Sequence, residues 1–191
     1  MVIGKCQKVA SAKSRIEATP QIGKTEMMWL RSRSGELFPF ATKRRRNFVD
    51  GGHALSGKGF KSRLHTHIYK ESDYRRKALP SLGDFFGMLV DFDTSNIRNW
   101  HIISVDPSKN VKGYLSIRAT KQMIDSVKKR SEAEMDVFSE LRGYLFHGCP
   151  KGKTKEQIDL ELLSKFKKLG LIVRPFPMPG YVFNGKSFIK K

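Results

Sequence analysis

The apolar and polar positions of this chain divide it into short segments with extended or helical periodicity. Two apolar runs, TEMMWLR and ELFPFAT, surround the turn-forming SRSG, which predicts a β-hairpin over residues 25–42. A further extended segment ends at RLHTHI. IRNWHIISV and GYLSIRA are rich in β-branched and aromatic residues and predict two strands joined by the turn DPSKN. The cationic stretch KRRRNFVDGG, between the hairpin and the segment that ends at RLHTHI, is expected to be a loop.

Apolar residues at the spacing typical of helices occur in several places along the chain. Residues 8–18 predict a short amphipathic helix, and the apolar positions of residues 120–146 predict one long helix or two short ones. TKEQ opens a predicted helix over residues 154–169, which stops at Gly170. The segments LIVRPF and YVFNGKSFIKK then predict two final strands.

A helix is also expected over residues 81–92, where LPS precedes LGDFFGMLVDF. Ser81 would be its N-cap, and Asp84 would occupy the third helical position, from which a carboxylate can reach back to the cap. The order of helices and strands therefore predicts an α/β or α+β fold with a mixed central β-sheet flanked by helices. We expect a domain over residues 1–146 and a basic C-terminal extension over 147–191, either part of the same domain or a separate partner-binding segment.

Composition narrows the class of protein. The chain has 191 residues, of which 39% are hydrophobic, and this suits a globular core. No apolar run approaches the roughly 18 residues of a membrane helix. Cys6 and Cys149 have no metal-binding spacing, and the N-terminus lacks a signal-peptide pattern. We therefore expect a cytoplasmic protein without membrane association.

The formal charge of +19 is concentrated at the two ends of the chain. Residues 1–63 carry 14 Lys or Arg against 4 Asp or Glu, residues 64–150 carry 13 against 11, and residues 151–191 carry 10 against 3. Such an excess favours nucleic acid through counterion release, or an acidic protein through long-range steering. Arg44, Arg45 and Arg46 are either a solvated loop or a contact for such a partner.

The strongest chemical signal is a pair of histidines in the segment RLHTHI. Residues i and i+2 of a strand point to one face, so His65 and His67 can direct two imidazoles towards one metal ion. A hydrolytic zinc site needs a third protein ligand and leaves one position for water. Asp84, in the first turn of the next helix, is the natural third ligand.

This arrangement of strand, H-x-H, loop and P-S-x-x-D-helix resembles the signature of the JAMM (MPN-type) metalloproteases, in which a glutamate precedes the two motifs. The resemblance covers residues 8–146 and implies the cytidine-deaminase-like MPN fold. It also implies that His65, His67 and Asp84 bind Zn²⁺, while Ser81 hydrogen-bonds the oxyanion. The implied activity is hydrolysis of a peptide or isopeptide bond at the C-terminal tail of a ubiquitin-like protein. A glutamate would take a proton from the zinc-activated water.

Two glutamates compete for the role of general base. Glu26, in TEMMWLR, lies where the family has its glutamate, and Glu36, in SGELFPF, lies after the predicted turn. We prefer Glu26, because SRSG then forms the turn that follows the glutamate-bearing strand. The chain departs from the family pattern at Ile68, where proline is usual, and in its longer loop over residues 68–80. The alternative functions are a basic nucleic-acid-associated module and an inactive scaffold with the same fold.

Overall fold

The computed structural model describes most of the chain, in seven ranges: residues 26–39, 43–45, 48–50, 60–68, 78–94, 97–129 and 132–191. The strands in these ranges are β1 (Met28–Ser32), β2 (Leu37–Pro39), β3 (Lys43–Arg45), β4 (Phe48–Asp50), β5 (Phe60–Ile68), β6 (Asn99–Val105), β7 (Val111–Ala119), β8 (Leu171–Pro177), β9 (Tyr181–Phe183) and β10 (Phe188–Lys190). The helices are α1 (Leu82–Thr94), α2 (Lys121–Lys129), α3 (Glu132–His147) and α4 (Lys155–Lys168).

Six strands form the main sheet, in the order β2-β1-β5-β6-β7-β8. β5 and β6 run parallel, and the other neighbouring pairs are antiparallel. A parallel pair requires a crossover, and α1 is the helix of the connection between β5 and β6. The expected mixed sheet flanked by helices is therefore confirmed.

The two faces of the sheet belong to two apolar clusters, because successive side chains of a strand point to opposite faces. Leu30, Trp100 and Ile102 join the larger cluster, which includes apolar side chains of all four helices. Leu64 and Ile103 belong to the smaller cluster on the other face. Along β5, alternation from Leu64 therefore turns Arg63, His65 and His67 towards the helical face.

Several predicted elements appear with small shifts of their ends. The helix expected over 81–92 spans Leu82–Thr94, and the segment from 120 to 146 forms two helices. α4 begins after Thr154, whose side chain forms a capping box with Gln157, as TKEQ predicted. The helix ends before Gly170, whose φ of 107° is a left-handed conformation that glycine adopts without strain.

Two sequence expectations about short segments are wrong. The segment YVFNGKSFIKK is a hairpin of β9 and β10 rather than one strand. The side-chain oxygen of Asn184 accepts hydrogen bonds from the backbone N–H groups of Lys186 and Ser187, which favours a turn there. The cationic stretch is not simply a loop, because β3 and β4 pair as a small antiparallel ribbon. The helix expected over residues 8–18 lies outside the described residues.

The C-terminal residues contribute to the same sheet and core. β8 pairs with β7 along seven residues, from Leu171 opposite Ala119 to Pro177 opposite Gly113. α4 buries Ile158, Leu162, Leu163 and Phe166 in the larger cluster. None of the helices in the described ranges is long and apolar enough to cross a bilayer.

Candidate metal centre

β5 and β1 together bring two imidazoles and a carboxylate to one place. The rings of His65 and His67 lie edge to face, with centroids 4.9 Å apart. Met28 of β1 is paired with His65 of β5. The backbone N–H of Thr66 donates a hydrogen bond to Met27 O at 2.9 Å. Glu26 directly precedes Met27, and Glu26 Oε2 lies 3.5 Å from His65 Nε2.

Thr66 fixes this pairing from the opposite face of β5. Its hydroxyl oxygen accepts a hydrogen bond from the backbone N–H of Met27 at 2.7 Å. Thr66 is fully buried, and its side chain points away from the two histidines, as the alternation of a strand predicts. The register between the strand bearing the histidines and the segment bearing Glu26 is therefore held by backbone and side-chain contacts.

The N-terminus of α1 supplies the other two candidate residues. The first helical hydrogen bond runs from the N–H of Phe85 to Ser81 O, so Ser81 is the N-cap. Asp84 reaches back to it, because Asp84 Oδ2 accepts from the Ser81 backbone N–H and from its hydroxyl, both at 2.7 Å. This reciprocal cap matches the prediction from P-S-x-x-D and fixes the Asp84 carboxylate at the start of the helix.

Asp84 also joins the helix to both histidines. His65 Nδ1 donates to Asp84 Oδ1 at 2.8 Å, and His67 Nε2 donates to Asp84 Oδ2 at 3.1 Å. These hydrogen bonds hold the Asp84 carboxylate against both imidazoles, so the three side chains selected from the sequence as metal ligands are in contact.

Burial and charge set the protonation of these groups in the metal-free protein. Asp84 is 3% exposed, and both histidines are buried. Burial alone would lower the pKa of His65, but the charge of Asp84, its hydrogen bond and Glu26 raise that pKa to about 10. Burial would also lower the pKa of His67, but the charge and the hydrogen bond of Asp84 raise it. Burial would raise the pKa of Asp84, yet the two histidines hold it well below its ordinary range.

A buried group of Glu26, His65 and His67 could bind a metal ion, since one ligand atom from each lies within 4.8 Å of the others. His65 Nε2 is buried and makes no hydrogen bond within the described part of the chain, although Glu26 Oε2 lies 3.5 Å from it. A buried polar atom without a partner is costly unless something else satisfies it, and a metal ion would do so. Two imidazoles with carboxylate oxygens form a donor set that suits zinc.

All five residues selected from the sequence therefore meet in one cluster: Glu26, His65, His67, Ser81 and Asp84. The competing glutamate lies elsewhere. Glu36 is exposed in the turn between β1 and β2, where Glu36 Oε2 accepts a hydrogen bond from the Ser34 hydroxyl at 3.1 Å. Most of the 68–80 loop lies outside the described residues.

Sequence reasoning missed a buried polar network beside the site. Arg63 donates to Asp91 Oδ1 at 2.6 Å, and Trp100 Nε1 donates to Asp91 Oδ2 at 2.8 Å. The periodicity of the strand could have predicted this network, because Arg63 precedes His65 by two positions and therefore lies on the same strand face. Asp91 follows Asp84 by seven positions, which is two turns along one face of α1.

Comparisons with known proteins add no relative: a scan of protein-family models and searches of curated proteins and of solved structures found no match. Any function for this chain therefore has to be argued from the chemistry of its own residues.

Proposed function

We propose that this protein is a zinc-dependent metallopeptidase of the JAMM type that hydrolyses a peptide or isopeptide bond. The observation that carries the proposal is the buried cluster of two histidines, an aspartate, a glutamate and a serine at the junction of β1, β5 and α1. The residues come from three separate parts of the chain, and their types are those that metal-assisted hydrolysis requires. The mixed sheet with a helical crossover after β5 agrees with the MPN fold that the resemblance implies.

His65, His67 and Asp84 would hold the ion. A bound zinc ion supplies a Lewis acid that lowers the pKa of water and polarises a carbonyl. Glu26 Oε2 lies 3.5 Å from His65 Nε2, the ring nitrogen that would face the ion, so its carboxylate could take a proton from water there and pass it to the leaving amine. The Ser81 hydroxyl can rotate from Asp84 to donate a hydrogen bond to the developing oxyanion.

The substrate class in this proposal is the C-terminal tail of a ubiquitin-like protein, as the resemblance implies. The net charge of +19 supports an acidic protein partner, because opposite charge accelerates encounter. The charge fits this partner without selecting it, so the substrate requires a direct assay.

Metal content is the first test. We expect about one zinc ion per chain in the purified wild-type protein and its loss in Asp84→Ala, because that change removes a proposed ligand. Inductively coupled plasma mass spectrometry measures the ratio. Glu36→Gln is a matched control, since it removes an exposed carboxylate far from the histidines, and it should retain the ion.

Cleavage is the second part of that test. Incubation with linked ubiquitin-like substrates should yield cleaved products that a chelator prevents and added zinc restores. Glu26→Gln should keep its metal and lose cleavage by at least about a hundredfold, because a general acid–base contributes roughly 10²–10⁴. An active Glu26→Gln with an inactive Glu36→Gln would overturn the base assignment, and wild-type protein without bound metal would overturn the function.

A further inference from the structure

The side chain of Arg63 links the three elements that meet at the candidate metal centre. Arg63 precedes His65 by two positions on β5 and is buried on the same strand face. Its Nη2 donates a hydrogen bond to Asp91 Oδ1 of α1 at 2.6 Å. Its Nη1 donates to Met28 Sδ at 3.4 Å, and Met28 is the residue of β1 that is paired with His65. One guanidinium thus joins β5 to both α1 and β1.

Asp91 of α1 is held by the sheet through both of its carboxylate oxygens. Oδ1 accepts from Arg63, and Oδ2 accepts from Trp100 Nε1 of β6 at 2.8 Å. The ring of Trp100 also lies directly against the backbone of α1, because a Cβ added at Gly87 would collide with it. Asp91 follows Asp84 by seven residues, so two carboxylates about two turns apart join α1 to the sheet. Two such contacts fix both the rotation of the helix about its axis and its position along β5.

Apolar packing alone constrains the helix less strictly than these hydrogen bonds do. Burial of apolar side chains is non-directional, whereas a hydrogen bond depends on both distance and angle. A metal site needs its ligands within about 0.5 Å of their productive positions. A buried ion pair is often no more stabilising than apolar residues of similar volume. A role in placing α1 therefore accounts for Arg63 and Asp91 better than a contribution to stability does.

We propose that Arg63 and Asp91 are positioning residues of the candidate metal centre, which place α1 on β5 so that Asp84 reaches His65 and His67. This inference rests on the proposed function, because it assumes that those last three residues bind the ion. Neither Arg63 nor Asp91 would touch the metal or the substrate. Residues that orient metal ligands typically change metal affinity by about 10–100-fold when they are removed.

The test uses a double variant, Arg63→Met with Asp91→Leu, which removes the hydrogen bonds without leaving a buried charge unpaired. This variant should bind zinc at least about tenfold more weakly in competition with a chromophoric chelator. The visible absorption of its cobalt-loaded form should also change, since displacement of Asp84 alters the ligand field. Asp91→Asn should keep most of the wild-type affinity, because its amide oxygen can still accept from Arg63. Glu140→Gln is the matched control, because it weakens an ion pair with Lys165 that joins α3 to α4, and it should keep the wild-type spectrum.

The outcomes separate this inference from the function beneath it. If wild-type protein binds one zinc ion and the folded double variant matches its affinity and cobalt spectrum, the positioning role is wrong and the proposed function stands. An equal spectral change in Glu140→Gln would also overturn the positioning role, because any lost ion pair would then disturb the centre. If wild-type protein binds no zinc, both proposals are wrong. If the double variant does not fold, Arg63→Lys decides: it keeps the charge but loses the forked geometry that contacts both Asp91 and Met28, so an unchanged affinity and cobalt spectrum overturn the inference.

Discussion

Asp84 combines two structural roles in one buried carboxylate. It closes the cap of α1 through Ser81, and it pairs with both histidines of β5. A capping aspartate is common, whereas one that also meets two imidazoles is not required by helix formation. The second set of contacts is therefore what distinguishes a candidate metal centre from an ordinary helix start.

The same contacts predict how the metal-free protein responds to pH. The pKa of His65 is about 10 against an ordinary value of 6.5. A group whose pKa is raised on folding stabilises the fold fully below its unfolded pKa and loses that contribution as pH rises through the folded pKa. We therefore expect the free energy of unfolding of the metal-free protein to fall between pH 6.5 and about 10 in urea titrations.

Two comparisons check this origin of the pH dependence. His65→Gln should flatten the decrease in stability, while His147→Gln, at the exposed end of α3, should not. Zinc should bind more tightly as pH rises and should release protons, because imidazole must be neutral to ligate. Titration calorimetry in buffers of different ionisation enthalpy measures that release, and zinc binding without proton release would contradict the assignment of His65 and His67 as ligands.

At the scale of elements, a second contact joins α1 to β5 beyond the candidate metal centre. Arg63 and Asp91 form a buried ion pair, and the guanidinium of Arg63 lies 4.9 Å from the centre of the Trp100 ring. The helix approaches the sheet closely here, since a Cβ on Gly87 would lie 2.8 Å from the Trp100 ring. The two contacts lie two turns apart along α1 and together set how the helix sits on the strand.

Burial dominates the electrostatics of this pair. It raises the pKa of Asp91 to about 6 and lowers that of Arg63, although each partner acts in the opposite direction. The pair thus contributes more to the position of α1 than to net stability. We expect Asp91→Ala to lower the free energy of unfolding by about 3–5 kcal/mol, because Arg63 is left buried without its partner.

Chemical denaturation of single and double variants measures the interaction energy between Arg63 and Asp91. Arg63→Met combined with Asp91→Leu should recover most of the loss, since no buried charge remains. Lys121→Ala, which breaks an exposed pair with Asp125, is the control and should leave stability unchanged. A double variant as unstable as Asp91→Ala alone would mean that packing, rather than the unpaired charge, causes the loss.

The elements best predicted from sequence were those with local signals. The start of α1 follows from Ser81 and Asp84, and that of α4 follows from Thr154, because a capping side chain and its N–H partner are three residues apart. The β9–β10 hairpin was missed, since three-residue strands are too short for a clear alternation. The hydrogen bond from the Ala78 N–H to Lys186 O spans distant parts of the chain, and no local pattern encodes it.

At the scale of the whole molecule, the candidate metal centre does not account for the net charge of +19. The C-terminal tail of Lys190 and Lys191 is exposed, as are Lys167 and Lys168 at the end of α4. A protein with this excess attracts phosphate backbones whatever its main function, because binding releases condensed counterions. The alternative function, a nucleic-acid-associated module, therefore has to be separated from this general attraction.

The salt dependence of DNA binding, and its response to a change in the candidate metal centre, separate dedicated recognition from general charge attraction. We expect duplex DNA binding, measured by fluorescence anisotropy, to weaken by about a hundredfold or more between roughly 50 and 200 mM salt. His65→Ala should leave it unchanged, because the buried imidazole does not reach a phosphate backbone. Binding that persists at the higher salt concentration, or that favours one sequence, would indicate dedicated recognition and support the alternative function. Loss of DNA binding in His65→Ala would instead place nucleic acid at the metal centre and make it the substrate to test.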